Sequence, residues 1–123
     1  MGVVKTKVRK KHLWVVLSDT VKHNGYGIIV NISTDSKRTR KECPLSHNEH
    51  PWLCEPASWV CYADAVLVNP EKWIQIQKGI KTGFIIPKED SSMALVNKII
   101  AGAKISAAQP HGGFPKDYLI YLD

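Results

Sequence analysis

Two nearly continuous apolar runs near the start of the chain form the clearest structural pattern in the sequence. They cover residues 12–18 (HLWVVLS) and 26–32 (YGIIVNI), and a turn-forming Asn24-Gly25 pair lies between them. β-branched and aromatic residues favour strands, and Asn-Gly favours a reversal of the chain. We therefore predict an antiparallel strand pair. Because neither run alternates with polar residues, both faces of these strands are expected to be covered or wrapped into a barrel.

One amphipathic helix is predicted over about residues 92–104. Residues 90–92 (DSS) supply N-cap side chains at its start. The apolar residues that follow recur at the spacing of one helical stripe. This stripe consists of Leu95, Val96, Ile99, Ile100 and Ala103.

The other apolar segments predict short elements. Residues 58–68 indicate a strand, residues 71–78 fit a strand or a short helical turn, and residues 118–122 fit a last strand or a docked tail. Residues 1–11 are interpreted as an extended lead-in or an arm. Several short strands with one late helix predict a mainly β fold with a C-terminal helix, arranged as a small bent sheet or barrel.

Residues 43–62 concentrate side chains that carry chemistry. They include all three cysteines, two of the five histidines and two of the four tryptophans. Pro44, Pro51 and Pro56 exclude a regular helix, because each removes a backbone donor and fixes φ. We predict a stiff, irregular connection here, which is the kind of segment that often carries a functional site.

Composition and length place the chain among small soluble domains. Its 123 residues are expected to form a single domain, residues 1–123, and 44% of them are hydrophobic. No apolar run approaches the roughly 20 residues that cross a bilayer, and no signal peptide is recognisable. An odd number of cysteines, three, argues against a disulfide framework. We therefore expect a cytoplasmic protein that does not contact a membrane.

The net charge of +6 is unevenly distributed along the chain. Residues 1–41 contain ten Lys/Arg and two Asp, a balance of +8, whereas residues 42–123 have a balance of −2. A basic region beside a slightly acidic remainder is typical of a surface that binds a polyanion, most often nucleic acid. The alternative is a solvated basic face that aids solubility.

The two strand motifs resemble those of the PemK/MazF-type toxins. HLWVVLS looks like that family's "RPALVLS" strand, and IIVNIST (residues 28–34) looks like its "VIVVPITS" strand. YADAV (residues 62–66) resembles a later strand, and the late helix falls where the family has one. The resemblance covers about two-thirds of the chain loosely. It implies a small SH3-like barrel.

The same resemblance implies a toxin of a toxin–antitoxin system. The expected activity is endoribonuclease cleavage of single-stranded RNA without a metal or other cofactor. The expected partners are RNA, a cognate antitoxin protein and a second copy of the chain in a homodimer.

The family's catalytic pair is an Arg before the first matched strand and a Thr or Ser that closes the second. The resemblance places the Arg position on Lys11 or His12, and the hydroxyl position on Ser33 with Thr34 beside it. Lys11 is a departure from the family, because an ammonium lacks the planar fork with which arginine holds phosphate.

RNA cleavage through the 2′-hydroxyl requires a base, an acid and cations near the phosphate. Histidine suits proton transfer because its pKa lies near neutrality. His50, between Glu49 and Pro51, is the preferred acid/base, and His12 is second. The alternative for each is a structural histidine.

Further basic and aromatic residues are predicted to bind RNA if the two basic segments meet. Antiparallel strands joined at Asn24-Gly25 would bring Lys11 and Ser33 to the same end of the sheet. Trp52 and Trp59 are candidates for base stacking, with a core or interface position as the alternative. The predicted RNA-binding residues are Arg9, Lys10, Lys37, Arg38, Arg40 and Trp52.

Two other interpretations stay open. Cys43, His47, His50 and Cys54 are ligand types that zinc accepts, although their spacing fits no standard finger. A zinc-stabilised interaction domain is therefore one alternative. The second is a non-catalytic SH3-like module that binds nucleic acid or protein and lacks the family's arginine.

Overall fold

The structure, a computed structural model, describes residues 3–6, 13–18, 20–33, 42–46, 49, 57–88, 92–110 and 112–122. Within these ranges the chain forms strands, two α-helices and a short 3₁₀ helix. In chain order the elements are β1 (Val3–Thr6), β2 (Leu13–Val16), β3 (Gly27–Ser33), β4 (Glu42–Ser46), β5 (Ala57–Val68), α1 (Pro70–Lys81), β6 (Ile85–Lys88), α2 (Met93–Ala108) and the 3₁₀ helix Lys116–Tyr121.

The strands form one antiparallel sheet with the order β4-β5-β3-β2-β1-β6. No pairing joins β4 to β6 among the described residues, so the sheet has two edges in this part of the chain. The fold is therefore mixed α/β: an antiparallel sheet with two α-helices. The prediction of a mainly β fold with one helix is corrected, whereas the antiparallel sheet and the late helix are confirmed.

The predicted pair of central strands is confirmed. β2 and β3 are antiparallel neighbours, with Leu13 opposite Ile32 and Val16 opposite Ile29. The turn between them contains Asn24 at φ 56° and Gly25 at φ 87°. These left-handed conformations explain why an Asn-Gly pair stands here, since other residue types adopt them only at a cost.

Helix α1 occupies the segment for which the sequence fitted either a strand or a short helical turn. It begins at Pro70, and its N-cap residue Asn69 accepts a hydrogen bond from the Lys72 N–H at 2.8 Å. Pro at the first helical position and Glu71 in the first turn are both favourable at a helix start. None of the residues of α1 is buried. The favourable residues at its start, rather than an apolar stripe facing the core, therefore explain why this segment is helical.

Helix α2 confirms the amphipathic stripe and provides one wall of the core. Its buried positions include Leu95, Val96, Ile99 and Ala103. They pack in one cluster with inward-facing strand residues, namely Val15, Ile28, Val30, Ile32, Val60 and Tyr62. The Ser92 side chain caps the helix by accepting a hydrogen bond from the Leu95 N–H at 3.1 Å.

Three strands were not predicted, namely β1, β4 and β6. β1 lies inside the sheet between β2 and β6, although its segment was interpreted as a lead-in or an arm. β4 is an edge strand with Pro44 at its centre. An edge strand tolerates proline because one side of its backbone needs no partner in the sheet. The register of β4 shifts between Glu42 and Pro44, where Cys43 has φ 48°.

The C-terminal segment predicted as a last strand or a docked tail is a 3₁₀ helix, Lys116–Tyr121. Tyr118, Leu119 and Tyr121 pack against the core cluster. Among the described residues, no helix combines the length and the apolar character that a membrane span requires.

Candidate nucleic-acid interface

One end of the sheet gathers the strand termini that border the predicted site segments. Lys5 lies opposite Leu13 and Leu13 opposite Ile32, so the end of β1, the start of β2 and the end of β3 are adjacent. Ser33 lies opposite Trp59, near the start of β5. We call this end, formed by Thr6, Leu13, Ser33, Ser46 and Ala57, the basic end, because of the segments attached to it.

Chain connectivity tethers three segments to the basic end. Residues 7–12 join Thr6 to Leu13, and residues 47–56 join Ser46 to Ala57. Residues 34–41 begin after Ser33 and end before Glu42, whose partner Val60 follows Trp59 directly. Residues 7–12 (KVRKKH) and residues 34–41 (TDSKRTRK) together carry five lysines and three arginines. We call residues 7–12 and 34–41 the two basic segments, and residues 47–56 the Cys/His/Trp segment. All three therefore leave and rejoin the sheet at one end.

Ser33 is the one predicted catalytic residue within the described ranges. It is the last residue of β3, is half-buried and lies opposite Trp59. The other predicted catalytic residues, Lys11, His12, Thr34 and His50, lie outside the described residues. The predicted RNA-binding residues also lie outside them, namely Arg9, Lys10, Lys37, Arg38, Arg40 and Trp52.

Trp59 belongs to the interior of the protein. Its exposed fraction is 7%. Base stacking requires an accessible ring face. The burial of Trp59 therefore supports a position in the core.

Cys43 is the described member of the proposed zinc set. It is half-buried, and its Sγ lies 4.0 Å from the Lys98 carbonyl oxygen. Burial raises the pKa of the Cys43 thiol. The thiol is therefore protonated at neutral pH and is a poor nucleophile in this state.

The other proposed zinc ligands, His47, His50 and Cys54, lie outside the described residues. Within the described ranges, no three His, Cys, Asp or Glu side chains are close enough to hold a metal ion. The zinc interpretation stays a prediction.

Tyr62 and Gly102 fix the position of α2 on the sheet near Cys43. The buried Tyr62 hydroxyl donates a hydrogen bond to the Ile99 carbonyl oxygen at 2.7 Å. Burial raises the pKa of Tyr62 above its usual range, so the hydroxyl stays protonated as a donor. A Cβ at Gly102 would clash with the Tyr62 Oη and approach the Cys43 Cβ to 3.3 Å. The close contact between helix and sheet therefore depends on the missing side chain of Gly102.

Glu49 ties the Cys/His/Trp segment to both β4 and α2. Its Oε2 accepts a hydrogen bond from the Ser46 N–H at 2.7 Å, and its Oε1 pairs with the Lys98 Nζ at 2.7 Å. Its own N–H donates to the Ser46 carbonyl oxygen at 3.1 Å. Because Glu49 stands between His47 and His50 in sequence, these contacts hold the backbone next to the preferred catalytic histidine.

We expect Glu49→Gln to reduce stability in a pH-dependent way. The hydrogen bond from Lys98 lowers the pKa of Glu49 from its ordinary value of 4.5. A lowered folded-state pKa stabilises the protein fully above the ordinary value, and this contribution is lost as the pH falls through the lowered pKa. The pair is partly exposed, so its contribution is about 0.2–1 kcal/mol. Urea unfolding of both proteins at a series of pH values measures it.

Lys98→Met is the matched variant for this test, since it removes the partner and keeps the carboxylate. The pKa of Glu49, followed by NMR titration, is expected to rise toward 4.5 in Lys98→Met. An unchanged pKa in that variant, or an equal loss of stability in Glu49→Gln at every pH, would contradict the role assigned to the pair.

Sequence reasoning did not single out Glu49, Lys98 or Tyr62 as parts of this region. Lys98 is an exposed residue of an amphipathic helix, and nothing in its spacing indicates a partner 49 positions away. The one available signal was the position of Glu49 between two histidines.

Comparison of the chain with protein-family models, with curated proteins and with solved structures finds no match. The resemblance to the PemK/MazF-type toxins therefore depends on the strand motifs alone and stays a prediction.

Proposed function

We propose that the chain is a PemK/MazF-like endoribonuclease that binds single-stranded RNA at the basic end and cleaves it without a metal. In this proposal it acts in the cytoplasm as the toxin of a toxin–antitoxin system and forms a homodimer. The observation that carries the proposal is the strand register, which attaches both basic segments and the Cys/His/Trp segment to one end of the sheet.

The charge distribution supports RNA as the ligand. Cations that converge on one end of a fold attract a polyanion and release its counterions on binding. The basic segments are tethered at Thr6, Leu13 and Ser33, which lie on adjacent strands. Two unrelated solvated loops would not require this adjacency.

The shape of β5 supports the finer prediction of an SH3-like barrel. Between the paired positions Asn31–Cys61 and Ile29–Val66, β3 has one residue whereas β5 has four. Extra residues in one strand bend it and increase its twist, which is how small sheets curve toward closure. We include a PemK/MazF-like barrel in the proposal on this basis.

In the proposed mechanism, Lys11 and Arg9 hold the scissile phosphate, with Arg40 from the second basic segment. Ser33 and Thr34 orient the phosphate through their hydroxyls. His50 removes the proton from the 2′-hydroxyl or donates one to the leaving 5′-oxygen, and His12 is the candidate for the complementary step. Attack of the 2′-oxygen on phosphorus breaks the bond to the 5′-oxygen, so no water or cofactor enters this step.

The competing function is a non-catalytic module that binds nucleic acid or protein. The observation that favours it is the residue at the family's arginine position, which is Lys11 or His12 here. A zinc-stabilised version would use Cys43 with His47, His50 and Cys54. Dialysis against a chelator followed by thermal unfolding and metal analysis separates this version, because only a zinc domain should lose stability and release metal.

We expect the double variant Arg38→Ala/Arg40→Ala to bind RNA about tenfold more weakly at about 0.15 M salt. Each lost phosphate contact removes about 0.7 from the slope of log K against log salt for a single strand, so the slope should become shallower by about 1.4. Fluorescence anisotropy with a labelled mixed-sequence RNA at several salt concentrations measures both quantities.

Lys22→Ala/Lys72→Ala is the matched control. Both lysines are exposed, and Lys22 lies in the turn at the opposite end of the sheet. This variant loses the same charge but should keep the affinity and the salt slope nearly unchanged. Equal losses in the two variants would show that net charge alone attracts RNA and would contradict a binding surface at the basic end.

A further inference from the structure

Helix α1 presents an apolar surface that no described element covers. None of its residues is buried, and Ile74 and Ile80 are 51% and 36% exposed. Phe84, three residues beyond the helix, is 50% exposed. An open groove of about 400 Å³ runs along the helix. The described residues that line it are Ile74, Gln77, Lys78, Ile80 and Lys81.

The described lining of this α1 groove is positively charged. Two of its five described lining residues are lysines, and none of the five is acidic. Lys78 and Lys81 both lie in the last turn of α1, so they stand together at one end of the groove. A complementary occupant therefore carries apolar side chains that face Ile74 and Ile80, and carboxylates that face the two lysines.

We infer that the α1 groove docks an acidic amphipathic segment of a partner protein. This mode of recognition places apolar anchors at helical spacing in a hydrophobic groove. Flanking carboxylates then pair with Lys78 and Lys81 and fix the direction of the segment. The inference does not depend on RNA cleavage.

A second copy of the chain is a less favourable occupant. An isologous contact through the α1 groove would bring together two copies of the same surface, whose described lining holds two lysines and no carboxylate to pair with the lysines of the other copy. Like charges that face each other are destabilising, and each chain already carries a net charge of +6. The charge of the groove therefore selects a partner of opposite sign.

RNA is also a less favourable occupant of the α1 groove. Surfaces that bind single strands combine cations with aromatic rings on which bases stack. The described lining contains two isoleucines and no aromatic ring. Aliphatic side chains flanked by lysines suit an amphipathic peptide better than a nucleic acid.

The test measures binding of a fluorescein-labelled peptide of roughly 20 residues, made of Leu, Glu and Ala with the leucines on one helical face. A scrambled peptide of the same composition is the control for simple charge attraction. Anisotropy is expected to show binding of the patterned peptide that weakens as salt rises. Affinity should fall at least about tenfold in Ile74→Glu/Ile80→Glu and in Lys78→Glu/Lys81→Glu.

Ile105→Glu/Ile120→Glu is the matched control, because these isoleucines are 61% and 67% exposed and lie outside the α1 groove. It should bind the peptide like the parent chain. Thermal unfolding verifies that each variant is folded, and Lys78→Glu/Lys81→Glu keeps the test valid if an isoleucine change destabilises the chain.

Four results would overturn the inference. The first is that the parent chain does not bind the patterned peptide, and the second is that it binds the scrambled peptide equally well. The third is that Ile74→Glu/Ile80→Glu and Lys78→Glu/Lys81→Glu both bind the patterned peptide as tightly as the parent chain does. The fourth is that sedimentation shows a dimer of the parent chain that Ile74→Glu/Ile80→Glu dissociates. The last result would assign the α1 groove to a second copy. Loss of RNA binding in Ile74→Glu/Ile80→Glu, without peptide binding by the parent chain, would assign it to nucleic acid instead.

Discussion

Ser106→Ala is expected to lower the free energy of unfolding by about 2–4 kcal/mol. Ser106 is 1% exposed, and its Oγ accepts hydrogen bonds from the Gly113 and Phe114 N–H groups, both at 3.0 Å. Alanine would leave both donors without this partner, the Phe114 N–H in a buried position and the Gly113 N–H in a partly buried one. Urea unfolding of the variant and the parent chain measures the loss.

The consequence extends beyond the two hydrogen bonds. The loop that Ser106 holds carries Phe114, which is 3% exposed and packs edge-on against Tyr62 at a ring separation of 6.0 Å. Tyr62 in turn bonds to α2 at Ile99. Weakening the loop therefore also loosens the contact between α2 and β5.

Ser58→Ala is the matched control, because Ser58 is also a buried serine, at 2% exposure. Within the described part of the chain, its Oγ donates a long hydrogen bond to the Leu45 carbonyl oxygen, at 3.5 Å. We expect Ser58→Ala to cost less than about 1 kcal/mol. Similar losses in the two variants would mean that the paired acceptor role of Ser106 is not what stabilises the loop.

His50→Ala is expected to reduce RNA cleavage by about 10²–10⁴-fold while the fold stays intact. This magnitude is typical of removing a side chain that transfers a proton in the transition state. The preceding residue, Glu49, is bound by Ser46 and Lys98. These contacts do not involve the imidazole of His50, so we expect them to persist in His50→Ala. Single-turnover cleavage of a labelled RNA measures the loss.

His23→Ala is the control for loss of a histidine far from the basic end. His23 lies in the turn between β2 and β3 and packs edge-on against Tyr121 at 5.6 Å. Its replacement should leave cleavage nearly unchanged. If His50→Ala cleaves RNA as fast as the parent chain, His50 is not the acid/base, and His12 becomes the residue to test.

The fold was predictable where local signals and long-range packing agree. The Asn24-Gly25 turn has the backbone angles that this pair favours, and the apolar runs on either side of it are the paired strands β2 and β3. The stripe of α2 faces the core as its periodicity indicates. In each case the nearest residues in sequence already determine the structure.

The remaining elements depend on partners distant in sequence. β1 is a strand because β2 and β6 pair with it on both sides, and four residues carry no signal of that. β4 contains Pro44, which argues against a strand unless the edge position is known. Helix α1 has no buried residue, so hydrophobic periodicity did not decide between helix and strand.

The candidate site was predictable to a similar degree. The antiparallel pair implied that the start of β2 and the end of β3 share one end of the sheet, and the register confirms this. The additional placement of residues 47–56 at that end follows from β4 and its pairing with β5, which the sequence did not indicate. The Glu49–Lys98 pair joins two segments through tertiary folding alone, so local sequence carries no trace of it.

The most direct test of the proposed function is incubation of the purified protein with a long mixed-sequence RNA, with and without EDTA, followed by mapping of the fragment ends. The proposal predicts discrete cuts that persist in EDTA and that His50→Ala abolishes. Cuts that EDTA abolishes would contradict the metal-independent mechanism and favour a metal site in residues 43–54. Intact RNA after incubation with folded protein free of any bound partner would contradict the nuclease and leave the non-catalytic binding module.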